Sequence, residues 1–139
     1  MLRSWRSWAP RLVLLAAGLL YVMIGVKFVL SPGPSAAQSG LSLATAVGRT
    51  TVRAGLGGFP LGIALTLLYC LMSPARTAAG LRLAATVTAA VLVVRFAGAS
   101  ADDALAQSAR LLAPEAAVVA LTLAAAWLFE TRPAPSQAA

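Results

Sequence analysis

Four apolar runs, at approximately residues 12–30, 52–72, 77–97 and 111–129, constrain this chain more than any other feature. Proline, glycine or charged residues separate them. A helix rises about 1.5 Å per residue, so about 20 apolar residues match a hydrocarbon core about 30 Å thick. Composition agrees: 60% of the residues are hydrophobic, 11% are charged and mean hydropathy is +0.84. Soluble domains are about half apolar and about a quarter charged. The predicted fold is all-α, an integral membrane up-down-up-down four-helix bundle. A single transmembrane domain over residues 11–130 follows an N-terminal flank, 1–10. The Pro- and Ala-rich tail, 131–139, is expected to be disordered.

The breaks have identifiable chemistry. Arg3 and Arg6 alternate with Trp5 and Trp8 before the first run, a pattern suited to the headgroup layer. A cleaved signal peptide with Ser35-Ala36-Ala37 as its processing site is the rival reading. The run's length and its Lys27 favour a retained first span. Ser31-Pro-Gly-Pro34 cannot continue that helix. A polar loop to about Arg49 follows, in which Leu41, Leu43 and Val47 suit the membrane surface. Ser73-Pro74 closes the second span and Gly98-Ala-Ser-Ala-Asp-Asp103 the third. The fourth either starts from a cap at Asp102 or Asp103 and bends at Pro114, or starts afresh with Pro114 in its first turn.

The net charge of +7 is not a nucleic-acid footprint, because the basic residues lie at the ends of apolar runs and form no patch. Arg3, Arg6, Arg11, Arg76, Arg82 and Arg132 fall on one side of an up-down bundle, which by the positive-inside rule puts both termini in the cytoplasm. Cys70 is the only cysteine and histidine is absent, so no disulfide, metal site or cofactor is expected. Cys70 reads as a small core residue.

Arg53-Ala-Gly-Leu-Gly-Gly-Phe-Pro-Leu-Gly62 opens the second span with a charge, four glycines and a proline. At about 100° per residue, Gly55, Gly58, Gly62, Thr66 and Tyr69 share one face, and Arg53, Gly57, Pro60 and Ala64 the opposite one. The first face, with its GxxxG pair, is expected to pack a neighbouring helix. The second is expected to line a polar pocket. Pro60 has no amide hydrogen for the Leu56 carbonyl, so a kink or a bound polar group is expected beside Arg53.

Up-down topology brings Lys27, Arg53, Arg95 and Glu115 to the same side of the membrane, one from each helix. An arginine or lysine at mid-span costs about 2.5–3.5 kcal/mol and much less near the interface, where long side chains snorkel. Taken singly, each cation is explained by snorkelling, and Glu115 by the helix dipole. Taken together, Glu115 is the expected bidentate partner of an arginine, and three cations against one carboxylate leave a positive surplus. Asp102 and Asp103 could offset part of it. The candidate ligand site is therefore Arg53, Arg95, Glu115, Gly57 and Lys27, facing an amphipathic molecule with an anionic or carbonyl head.

The element Arg53-Ala-Gly-Leu-Gly-Gly58, with Arg95 late in the third span and Glu115 early in the fourth, resembles domain-of-unknown-function family 4345, small bacterial four-helix membrane proteins. It is more distantly similar to the DoxX-like group. The resemblance extends from about Leu12 to Phe129 and implies a four-helix inner-membrane bundle. It implies no activity.

Three functions fit these residues. The first is binding of a lipid or quinone-like molecule at the Arg/Glu site, with membrane lipids as the surrounding partner. The second is a structural or partner-binding subunit that docks a partner, or a second copy as a homo-oligomer, through Gly55, Gly58 and Gly62. The third is an integral-membrane isomerase or cyclase with Glu115 as acid or base and an arginine stabilising an oxyanion.

Overall fold

A computed structural model of the chain describes residues 2–130 along the backbone and the side chains of residues 8–129. Among the described residues every regular element is helical: α1 (Leu2–Leu30), α2 (Pro32–Gln38), α3 (Ala46–Val52), a π-helical turn (Arg53–Gly58), α4 (Phe59–Leu71), α5 (Pro74–Ala101) and α6 (Leu105–Glu130). The side chains of Arg3, Trp5 and Arg6, all of Arg132 and the tail 131–139 lie outside the described residues.

Four segments are long and apolar enough to cross a membrane: Trp8–Leu30, Ala46–Leu71, Pro74–Ala101 and Leu105–Phe129. Only 17% to 33% of the residues in their most apolar windows are buried inside the chain. Leu19, Met23, Leu65, Val93, Val94 and Leu123 therefore point outward. So much exposed apolar surface is untenable in water and is what a lipid solvent requires of helices that satisfy their own backbone. This is the architecture of a multi-pass membrane protein.

The described residues form two compact units. One runs from Leu15 to Tyr69, and the other joins the start of α1, up to Leu14, to everything from Cys70 onward.

In the Leu15–Tyr69 unit, α1 and α4 run antiparallel. Gly18 and Gly25, seven residues apart, share a face of α1. Gly18 meets Leu67 and Leu68, whereas Gly25 meets Leu61 and Gly57. A Cβ on Gly25 would lie 2.8 Å from the Gly57 carbonyl oxygen, and one on Gly57 would lie 2.7 Å from Cγ2 of Val29. The backbones approach so closely only because both positions are glycine, the usual device for packing helices without a hydrophobic driving force.

The connection between α1 and α4 is more ordered than the expected polar loop. Pro32 starts α2, and the Ser31 amide and the Ser35 hydroxyl both donate to the Lys27 carbonyl, at 3.0 and 3.2 Å. The α2 end is a Schellman motif: Gly40 has φ of +76° while the Leu41 amide donates to the Ala36 carbonyl and the Gly40 amide to that of Ala37. Thr45 then caps α3, its hydroxyl accepting from the Gly48 amide at 3.0 Å. Small residues and good caps suffice for these short helices, although their hydropathy reads as loop.

The other unit pairs α5 with α6 across a tight link. The Asp102 amide donates to the Gly98 carbonyl and the Ala104 amide to that of Ala99, closing α5 with Asp103 in the left-handed region at φ of 52°. Neither aspartate caps α6, contrary to one of the two sequence expectations. Asp102 and Asp103 instead terminate α5, and α6 continues from Leu105 through Pro114 to Glu130. Gly80 lets α5 approach Leu14 and the buried Cys70, whose Cβ lies 2.7 Å from where a Gly80 Cβ would stand. Cys70 is thus a core residue. The buried hydroxyls of Thr88 and Thr122 donate to carbonyls one turn back.

Candidate functional site

The second span begins with three glycines and an arginine just before Pro60, a composition that disfavours a regular α-helix. There the helix widens by one residue: the Phe59 amide donates to the Ala54 carbonyl, five residues back. Pro60 cannot donate to Leu56, and its ring would press on that carbonyl in a regular α-helix. The wide turn relieves the pressure, and Gly55, Gly57 and Gly58 offer little side-chain resistance to it. The expected kink therefore takes the form of a π-helical turn, an irregularity often found at functional sites.

This turn has two faces, as the spacing predicts, but their roles are exchanged. Gly57 does not line a pocket, because it is buried against Gly25 and Val29 of α1. Ala64 is buried as well. Gly55 and Gly62 have nothing within 4 Å, and Gly58 approaches only the Arg53 carbonyl of its own turn. The expected packing face of Gly55, Gly58 and Gly62 thus points away from α1. A helical wheel separates two small-residue faces but does not say which one meets the complementary partner. The deciding residues, Gly18 and Gly25, lie on α1, and their seven-residue spacing is the signal that sequence reasoning overlooked.

Arg53 accompanies Gly57 on the inner face. Its Nε donates to the Val29 carbonyl at 3.2 Å. Val29 lies in the last turn of α1, whose terminal carbonyls lack amide partners and carry the negative end of the helix dipole. Lys27, also in that turn, donates from Nζ to Oε1 of Gln38 at 2.7 Å. Two of the three cations in the expected surplus therefore have neutral oxygen partners within the Leu15–Tyr69 unit.

The third cation is placed differently. Arg95 lies six residues before the end of α5 and Glu115 eleven into α6. The Arg95 Nε is 3.0 Å from both carboxylate oxygens of Glu115, and Nη2 is 2.9 Å from Oε1. This is the side-on charge-assisted pairing expected for an arginine and a carboxylate in a poorly hydrated place. The Glu115 side chain retains 19% of its exposure and that of Arg95 36%. The Nη1 edge of Arg95 has no partner among the described residues.

Arg95 also borders a shallow, open apolar hollow on the face of α5 with Ala90, Val91 and Val94. Its chemistry is simple: an apolar floor one helical turn long, ended by a guanidinium with donors to spare. Among the described residues no cluster of acidic or sulfur-bearing side chains could hold a metal ion.

Residues 9–129 match the family described as Domain of unknown function (DUF4345). The chain belongs to this family. The match takes in all four long helices and includes Arg53, Arg95 and Glu115. No curated protein and no solved structure matches the chain.

Proposed function

We propose that this multi-pass membrane protein binds an amphipathic molecule, lipid or quinone-like, with its polar head at Arg95 and its tail along the hollow of α5. The observation that carries this reading is that Arg95, whose Nη1 has no partner among the described residues, borders the apolar hollow with Ala90, Val91 and Val94. An arginine needed only for snorkelling would have no use for a carboxylate that holds its guanidinium in place. Both oxygens of Glu115 accept from Arg95, which favours holding a ligand over proton transfer by Glu115 as an isomerase or cyclase acid or base. Native mass spectrometry of the purified protein tests this. A copurifying ligand present in the wild type and lost in Arg95→Ala is the expected result, and an empty wild-type protein contradicts it.

A second reading has one observation in its favour. The face of Gly55, Gly58 and Gly62 is uncovered within its own unit, as a docking surface for another copy or a partner helix would be. Crosslinking that detects an oligomer abolished by Gly58→Leu and retained in Arg53→Ala supports this role, and a monomer throughout excludes the homo-oligomer. On either reading the basic flanks favour an inner-membrane protein with both termini in the cytoplasm. Reporter fusions at each terminus check that orientation.

A further inference from the structure

The head group that Arg95 takes follows from how its charge is already matched. We infer that the ligand is an uncharged carbonyl compound, an ester or ketone on a long apolar tail, and neither a carboxylate nor a phosphate. This rests on the binding reading above and names the chemistry of that site.

A guanidinium facing an anion does so with its charge as much as with its N–H groups. Here Glu115 has taken the charge: Nε and Nη2 both face its carboxylate, at 2.9 to 3.0 Å. The pair is neutral as a whole, and the remaining Nη1 donors act as polar donors more than as a positive centre. A second anion would meet the Glu115 carboxylate across the guanidinium and would also have to leave water.

The surrounding charges point the same way. At this end of the α5–α6 hairpin the described ionisable groups are Arg95, Asp102, Asp103, Arg110 and Glu115, two cations against three carboxylates. A neutral acceptor is the head group that satisfies Nη1 without adding negative charge.

The shape sets the direction of the tail. Ala90, Val91 and Val94 precede Arg95 on α5, so the apolar floor extends from the guanidinium away from the Asp102–Ala104 link. The carbonyl therefore sits toward the membrane surface at the link end and the tail points toward the middle of the bilayer.

The test uses the full-length protein in nanodiscs of ether-linked phosphatidylcholine, whose chains carry no carbonyl. A methyl ester with a diazirine in its tail is crosslinked to the protein and mapped by peptide mass spectrometry. Methyl palmitate and hexadecyl sulfonate, which is anionic at every relevant pH, serve as competitors. The expected result is crosslinking at residues 90–94, with methyl palmitate competing about tenfold better than the sulfonate, a difference of about 1.4 kcal/mol. In Glu115→Gln the preference reverses, because the site gains a net positive charge. A sulfonate that competes as well as the ester in wild-type protein overturns the carbonyl assignment while leaving the binding reading intact. Failure of the ester probe to crosslink α5, together with crosslinking there by a diazirine sulfonate, does the same. Failure of both probes removes the binding reading itself. Repeating the assay in ester-linked nanodiscs separates the sources: reduced crosslinking supports occupancy by the bilayer's own acyl esters, and unchanged crosslinking supports a separate lipophile.

Discussion

The two units use arginine in opposite ways. In Leu15–Tyr69, Arg53 reaches the Val29 carbonyl at the end of α1 and Lys27 reaches Gln38, so both cations help close a glycine-packed hairpin. In the α5–α6 hairpin, Arg95 meets a carboxylate and borders an apolar hollow. An arginine inside a membrane segment is thus not a functional site by itself. What distinguishes the two is the acceptor: a neutral helix-end carbonyl for Arg53 and a carboxylate for Arg95.

The strongest way to break the comparison is at the glycines of the first hairpin. Gly25→Val sets a branched side chain against the Gly57 carbonyl and Leu61, and overpacking of this kind costs about 1–3 kcal/mol. Gly57→Ala carries a similar penalty against Val29. Gly62→Ala, facing open space, is expected to change stability by less than about 0.5 kcal/mol. Unfolding in detergent micelles, followed by circular dichroism, ranks the three. Equal losses at Gly57 and Gly62 contradict the exchange of faces.

Removing the partner of Arg95 comes next. Glu115→Ala leaves a partly shielded guanidinium uncompensated and is expected to cost about 1–3 kcal/mol, less than a fully buried pair because both side chains keep some exposure. The double variant Arg95→Ala with Glu115→Ala is expected to recover part of that loss. Additive losses in a double-mutant cycle show that the two groups do not act as a pair.

Arg53→Ala removes one hydrogen bond at an exposed position, so about 0.5–1.5 kcal/mol is the expected loss, with no effect on the other hairpin. The turns give effects of opposite sign. Asp103→Gly relieves a left-handed residue and is expected to stabilise the α5–α6 link by up to about 1 kcal/mol, whereas Gly40→Ala destabilises α2 by about 1–2 kcal/mol locally. Thermal shifts of opposite sign in the two variants check this.

These residues also show what could be read from sequence. The all-α membrane architecture was legible because bilayer thickness demands four long apolar helices and the Pro- and Gly-rich breaks punctuate them. That Glu115 would partner an arginine was legible because an intramembrane cation favours a carboxylate and topology offered one, whereas the choice of Arg95 was not. The choice between the two faces of the second span was not, since it depends on Gly25 across the interface. The π-helical turn was only half visible: Pro60 announces a defect, but whether it becomes a kink, a bound water or a widened turn depends on the residues around it. The partners of Lys27 and Arg53 were hidden for a related reason. Formal charges can be counted in a sequence, whereas the Val29 carbonyl that receives Arg53 becomes available only once α1 ends beside it.

The central claim is that Arg95, and not Arg53, presents donors to a ligand. Crosslinking of the diazirine methyl ester to the purified protein, compared among wild type, Arg95→Ala and Arg53→Ala, tests it directly. The account predicts loss of α5 labelling in Arg95→Ala and retention in Arg53→Ala. Labelling that survives Arg95→Ala and disappears in Arg53→Ala would contradict it.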